Sequence, residues 1–139
     1  MRASDIMTWE PITVASTSTL QEALDLMVRN DIHALPVVDG ERLVGILTDR
    51  DLKMMLGPGA RTLNDAELDP RLLETEVSRA MTPEVESIGP ETSVSTVSRL
   101  LADLRVGALP VVDEDDVLLG IVSVTDVLVA ASELFEREE

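Results

Sequence analysis

The sequence predicts an α/β (α+β) fold made of two copies of one β-α-β-β-α unit packed around a pseudo-two-fold axis. Three ordered matches carry that expectation. The run Ala34-Leu35-Pro36-Val37-Val38-Asp39 recurs unchanged at 108–113, 74 positions on. Gly45-Ile46-Leu47-Thr48 is echoed by Gly120-Ile121-Val122-Ser123, 75 positions on, the extra residue falling in an acidic turn where an insertion costs least. Ile6-Met7-Thr8 is matched by Ala80-Met81-Thr82, again 74 apart. Three matches in the same order mark a duplication.

Each copy reads alike. In the first, residues 12–15 form a short strand, and Ser18 opens a helix with Gln21 completing a capping box. Leu20, Ala23, Leu24 and Met27 keep the spacing of a helix with one buried face. The apolar run 34–38 suits a strand covered on both faces, Asp39-Gly40 a tight turn, and 43–47 the returning strand. Thr48 begins a second helix carrying Leu52, Met55 and Leu56, stopped by Gly57-Pro58-Gly59. In the second copy Val94, Val97, Leu100, Leu101 and Leu104 line the first helix. Residues 108–112 and 117–122 are its strands, and Ser123 opens a last helix towards Phe135. The predicted organisation is repeat 1 over 1–59, a partly helical surface linker over 60–76 with Leu63, Leu68, Leu72 and Leu73, repeat 2 over 77–135, and an acidic tail over 136–139. One copy is too small to bury a sufficient core, so stability belongs to the pair. Met27, Met54, Met55 and Met81 follow the apolar faces and are expected as core filler.

Composition narrows the function. The chain is 45% hydrophobic but holds one Trp, one Phe and no Tyr, so its core is aliphatic and few rings are present to stack on bases. A formal charge of −16, with Lys53 the only lysine and no basic cluster, argues against nucleic acid and anionic membrane surfaces. The absence of cysteine excludes disulfides, thiolate catalysis and Cys-type zinc sites. No signal peptide or membrane-length apolar run is apparent, and a soluble cytoplasmic protein is expected.

A short strand, a helix, a strand ending Pro-Val-Val-Asp, then Gly-Ile-x-Thr/Ser-x-x-Asp opening a helix, all present twice, resembles the cystathionine-β-synthase (CBS) repeat. The chain is similar to stand-alone tandem CBS pairs over nearly its whole length. Its candidate chemistry lies in Thr48-Asp49-Arg50-Asp51 and Ser123-Val124-Thr125-Asp126. A spacing of three on the first helical turn puts hydroxyl and carboxylate on one side, and the free N–H groups there suit an anion. The resemblance implies an adenosine-type ligand in the cleft between the repeats. Asp51 and Asp126 would hold the ribose, with Thr48 and Ser123 near the phosphate. Thr/Ser-x-x-Asp is equally a capping box, and capping and binding are compatible in one geometry. His33, the only histidine, stands where some nucleotide-binding members carry a phosphate-facing histidine, and its counterpart is Gly107. Arg50, opposite Thr125, suits phosphate geometry. Together they make the first site the better phosphate binder. By the same resemblance, base contacts come from Thr13, Val14, Ser87 and Ile88.

The expected function is a regulatory module sensing AMP, ADP or ATP, with S-adenosylmethionine and NAD as further candidates. It requires no cofactor or metal and signals to a partner protein in trans. The competing reading is a structural, dimerising protein with vestigial sites. An enzyme is disfavoured, because a chain with no Cys and one His offers no nucleophile beside an orienting base. A homodimer is expected, because Val127, Leu128, Ala131 and Leu134 give the last helix more apolar surface than its own pair covers.

Overall fold

The computed structural model describes residues 1–57 and 68–139. In chain order the elements begin α1 (Ala3–Ile6), β1 (Thr8–Trp9), β2 (Val14–Ala15), α2 (Leu20–Asn30), β3 (Ala34–Asp39), β4 (Arg42–Thr48) and α3 (Asp49–Leu56). There follow α4 (Pro70–Leu73), a 3₁₀ turn (Val77–Arg79), β5 (Thr82–Pro83), α5 (Val94–Leu104), β6 (Ala108–Val112), β7 (Leu118–Ser123) and α6 (Val124–Glu138). They form two compact units. The first unit is Ile12–Val85, and the second joins Met1–Pro11 to Glu86–Glu139. The mixed α+β class expected from the repeats is the class observed, with one sheet in each unit.

The first unit holds a sheet ordered β2-β3-β4-β5. Strand β2 runs parallel to β3, with Val14 beside Val37, and β3 returns antiparallel as β4, with Ala34 opposite Thr48. Leu20, Ala23, Leu24 and Met27 of α2 are all buried against Leu35, Val37 and Leu47 of the sheet and Leu52 of α3. The second unit repeats the plan with the order β1-β7-β6, Ala108 opposite Ser123, and Ile88 bridging to Val111 where the first unit has Val14 and Val37. Ala3, Met7, Ile88, Val97, Leu101, Leu109, Val111 and Val122 make its core.

The outer strand of each sheet comes from the other repeat in the sequence. Thr8 and Trp9 pair with Ile121 and Gly120 of β7, while Thr82 and Pro83 pair with Ile46 and Gly45 of β4. The packed units are therefore offset from the sequence copies. Residues 1–11 complete the second unit, and residues 77–85 complete the first. This close crossing explains the glycine of each Gly-Ile pair. A Cβ on Gly45 would stand 2.7 Å from both the Thr82 carbonyl oxygen and the Met81 sulfur. On Gly120 it would stand 2.7 Å from the Thr8 carbonyl oxygen and 2.8 Å from the Met7 sulfur.

Several local expectations are corrected. Helix α2 is capped by Thr19, whose side chain accepts from the Glu22 N–H at 3.2 Å, and not by Ser18 with Gln21. Ser18 lies in the preceding turn, its N–H bound to Ala15 and its carbonyl to the Val77 N–H. The first strand is confined to Val14–Ala15. Met54 is 80% exposed on α3 and fills no core, and Leu104 is exposed on α5. Helix α6 extends through residues 136–138 of the acidic tail. Helix α3 ends at Gly57, whose φ of 96° favours glycine, while Pro58, Gly59, Leu63 and the linker residues 60–67 lie outside the described residues. The rest of the linker is a packed segment, with Leu68, Leu72 and Leu73 set against the first unit's core. Asp69 caps α4, and the Arg71 backbone N–H, then its guanidinium, hold that carboxyl below its ordinary value.

The glycine packing makes a stability prediction. Gly45→Ala and Gly120→Ala each insert a methyl group against backbone, so each should cost about 1–3 kcal/mol and lower Tm by roughly 3–10 °C. Thermal unfolding unchanged by both substitutions would contradict the crossing as described.

Candidate functional site

Thr48 and Asp51 bond reciprocally at the start of α3. The Asp51 N–H donates to Thr48 Oγ1 at 3.1 Å, and the Thr48 N–H donates to Asp51 Oδ2 at 2.9 Å. Ser123 and Asp126 repeat the arrangement on α6, at 3.1 Å and 2.8 Å. Both pairs are thus true capping boxes, and losing such a cap typically costs about 1 kcal/mol.

The boxes leave binding capacity unused. A carboxylate offers about four acceptor positions, and the cap occupies only Oδ2 of each aspartate. Thr82 Oγ1 makes a long contact of 3.4 Å to Asp51 Oδ1, whereas Asp126 Oδ1 meets no donor among the described residues. The first-turn N–H groups are similarly accounted for. Asp49 N–H donates to the His33 carbonyl at 3.0 Å and Val124 N–H to the Gly107 carbonyl at 3.0 Å. The N–H groups of Arg50 and Thr125 remain the first-turn donors for which the described residues supply no acceptor. Each helix start therefore offers one carboxylate oxygen and one backbone N–H.

The other sequence candidates fall at varying distances from these starts. His33 is exposed at the head of β3, and its Nδ1 lies 3.3 Å from Asp49 Oδ2, so a carboxylate already meets the imidazole. Arg50 is exposed on the first turn of α3. Val14 is buried in β2, and extending its register places Thr13 level with Pro36, towards the Ala34–Thr48 end of the sheet. Ser87 and Ile88 approach the corresponding end of the second sheet, Ile88 N–H donating to Pro110 at 3.0 Å. They line a hollow of ≈ 670 Å³ that also takes in Asp113, whereas Asp126 lines a separate cavity of ≈ 260 Å³ with Asp5 and Ile6. The second unit thus divides the candidates between two hollows.

Sequence reading gave no role to Thr82, Asp5 or the buried Ser16, whose hydroxyl donates to Asp39 Oδ1. The Met-Thr match at positions 7–8 and 81–82 was the available signal for Thr82, although it does not say which sheet the strand joins. Among the described residues no group of three or more His, Cys, Asp or Glu is placed to hold a metal ion. No helix among them is long and apolar enough to cross a membrane.

Comparison with known proteins matches this arrangement. The family model of the CBS domain matches residues 3–57 and 76–133. The chain is 36% identical to the CBS domain-containing protein YhcV of Bacillus subtilis, covering 90% of this chain and 81% of that one. Arabidopsis thaliana CBSX2, solved in complex with AMP, superposes with a TM-score of 0.80 at 30% identity, covering 96% of this chain and 97% of CBSX2. The CBS domain pair of protein MJ0100, solved with 5′-methylthioadenosine and S-adenosyl-L-methionine, gives a TM-score of 0.74 at 26% identity, covering 100% and 98%. The chain belongs to the CBS domain family, as a tandem pair of CBS domains.

Proposed function

We propose that the protein is a non-catalytic regulatory module that binds an adenosine-containing ligand at the Thr48–Asp51 and Ser123–Asp126 helix starts. The observation that carries this reading is the carboxylate acceptor capacity and the backbone N–H left beside each cap, Asp51 Oδ1 sharing only the long contact from Thr82. A ribose cis-diol needs carboxylate acceptors, and a neighbouring polar or anionic group can take the Arg50 or Thr125 N–H. The complexes of CBSX2 with AMP and of MJ0100 with methylthioadenosine and S-adenosylmethionine support the ligand class. Among anions, AMP and ADP come before ATP because the net charge is −16. NAD remains a candidate through its adenosine half. The module acts in the cytoplasm as a homodimer and reports ligand occupancy to a partner protein in trans. The exposed apolar residues of α6, with Leu128 and Phe135 each 62% exposed, support an interface on that helix.

Thermal unfolding tests the binding. A ligand at 100 times its Kd stabilises by about 2.7 kcal/mol, a Tm shift of roughly 5–15 °C. AMP, ADP, ATP, S-adenosylmethionine and NAD are compared on the native chain, Asp51→Ala and Asp126→Ala. At least one should raise the native Tm and lose its effect in a variant. No shift with any of them would reduce both boxes to helix caps. Light scattering tests assembly: twice the 15.1 kDa chain mass is expected, and Leu128→Glu should shift it towards one chain. A native species of one chain mass at micromolar concentration would contradict the dimer.

A further inference from the structure

Helix α6 carries two apolar faces. Ala130 is buried and Val127 packs on the second unit's core, which accounts for one of them. The other consists of Val124, Leu128, Ala131 and Phe135, of which Val124, Leu128 and Phe135 are exposed. At about 100° per residue these four fall within roughly 60° of arc, set about 100° round the helix from the core face. Their spacing of four, three and four reads the same in both chain directions. The first unit breaks the pattern, with Asp49 and Lys53 standing where the second has Val124 and Leu128. A continuous apolar stripe left in solvent on one helix is a surface that another element covers.

We infer that α6 pairs antiparallel with α6 of a second copy of this chain, and that the second repeat alone makes this contact. The inference rests on the homodimer reading above and adds its geometry. The spacing is centred between Leu128 and Ala131. In the antiparallel sense it places Val124 against the partner's Phe135 and Leu128 against the partner's Ala131. Each larger side chain then faces a smaller one, the condition for interdigitated packing. A stripe that complements itself when reversed identifies its occupant as the same helix of a second copy. The parallel sense would set Phe135 on Phe135 and Ala131 on Ala131, crowding one level and leaving a gap at another. Charge favours the antiparallel sense too. The stripe ends among Glu136, Glu138 and Glu139, with Arg137 the one cation on the helix. In parallel these carboxylates would repel their own copies beside two negative dipole ends. Antiparallel, they lie beside the partner helix's first turn, the positive end of its dipole. Asp126 is the one acidic residue in that turn, and its Oδ2 already accepts the Ser123 N–H at 2.8 Å.

The chain contains no cysteine, so disulfide cross-linking maps the contact without background. Val124→Cys and Phe135→Cys variants of the full chain, each alone and the two refolded together, are mildly oxidised and their masses compared. Light scattering and melting curves before oxidation check the assembly and fold of each. In an antiparallel pair either position lies ~16 Å along the helix from its own copy, beyond the ~7 Å that a disulfide spans. Neither variant alone should therefore cross-link, whereas the mixture should give a covalent species of twice the 15.1 kDa chain mass. Ala131→Leu sets two leucines against each other and should weaken the dimer about tenfold or more, and adding Leu128→Ala should restore most of that loss. Lys53→Glu, on the first repeat, should leave the dimer unchanged. Cross-linking of Phe135→Cys alone would overturn the inference, as would an assembled mixture that forms no disulfide. An Ala131→Leu loss that Leu128→Ala does not restore, or dissociation by Lys53→Glu, would do the same. Each of these leaves the homodimer reading standing. A native chain that stays single at micromolar concentration would overturn both.

Discussion

Each sheet is closed by a two-residue strand arriving from the other repeat, and the rest of the structure depends on how closely that strand can approach. Thr8 and Trp9 lie against Gly120, and Thr82 and Pro83 against Gly45. A side chain at either glycine would meet backbone oxygen at 2.7 Å. The exchange gives each unit a core residue set it could not assemble from one contiguous copy, including Ala3 and Met7 in the second unit and Val77 in the first. It also brings polar groups to the helix starts. Thr82 reaches Asp51, while Asp5 and Ile6 reach the Asp126 cavity. Fold closure and site assembly are thus consequences of the same two short segments.

At each helix start the aspartate proposed to bind ligand is also the cap. The aspartate closes the capping box through Oδ2, which fixes the carboxylate on the first turn without using its other oxygen. A ligand accepting this geometry finds a group already held in place, so little side-chain freedom remains to be lost on binding. In the proposed function capping and binding are not alternatives, because the cap would supply the preorganisation that binding requires. The surroundings then distinguish two otherwise matching starts: His33, Arg50 and Asp49 at one, Asp5 and Glu133 at the other.

Much of this was legible in the sequence, for definite physical reasons. The period of Leu20, Ala23, Leu24 and Met27 reports one helix face, and that face is fully buried. The Thr48–Asp51 and Ser123–Asp126 pairs were visible because reciprocal capping depends only on a local spacing of three. Local spacing could not say which sheet Thr8 or Thr82 would join, since a two-residue strand has no period to read. It placed Met54 in a core because an apolar residue next to a buried face looks like a member of it, yet that side chain points to solvent. It named Ser18 as the cap, but the Ser18 carbonyl is bound to the segment at Val77, and Thr19, an equally good capping residue one position on, caps the helix instead. The acidic lining of the Asp126 cavity was hidden for the same reason as the strand exchange, since Asp5 and Asp126 are distant in sequence.

The central claim is that a capped aspartate keeps one oxygen for an adenosine ligand. Its most direct test is a crystal structure of the full chain grown with AMP and with S-adenosylmethionine. The account predicts a ribose diol on the uncapped oxygen of Asp51 or Asp126, with the Thr48 or Ser123 N–H still bound to Oδ2. Ligand density elsewhere with both aspartates untouched, or a ribose that displaces the cap to reach the carboxylate, would contradict it.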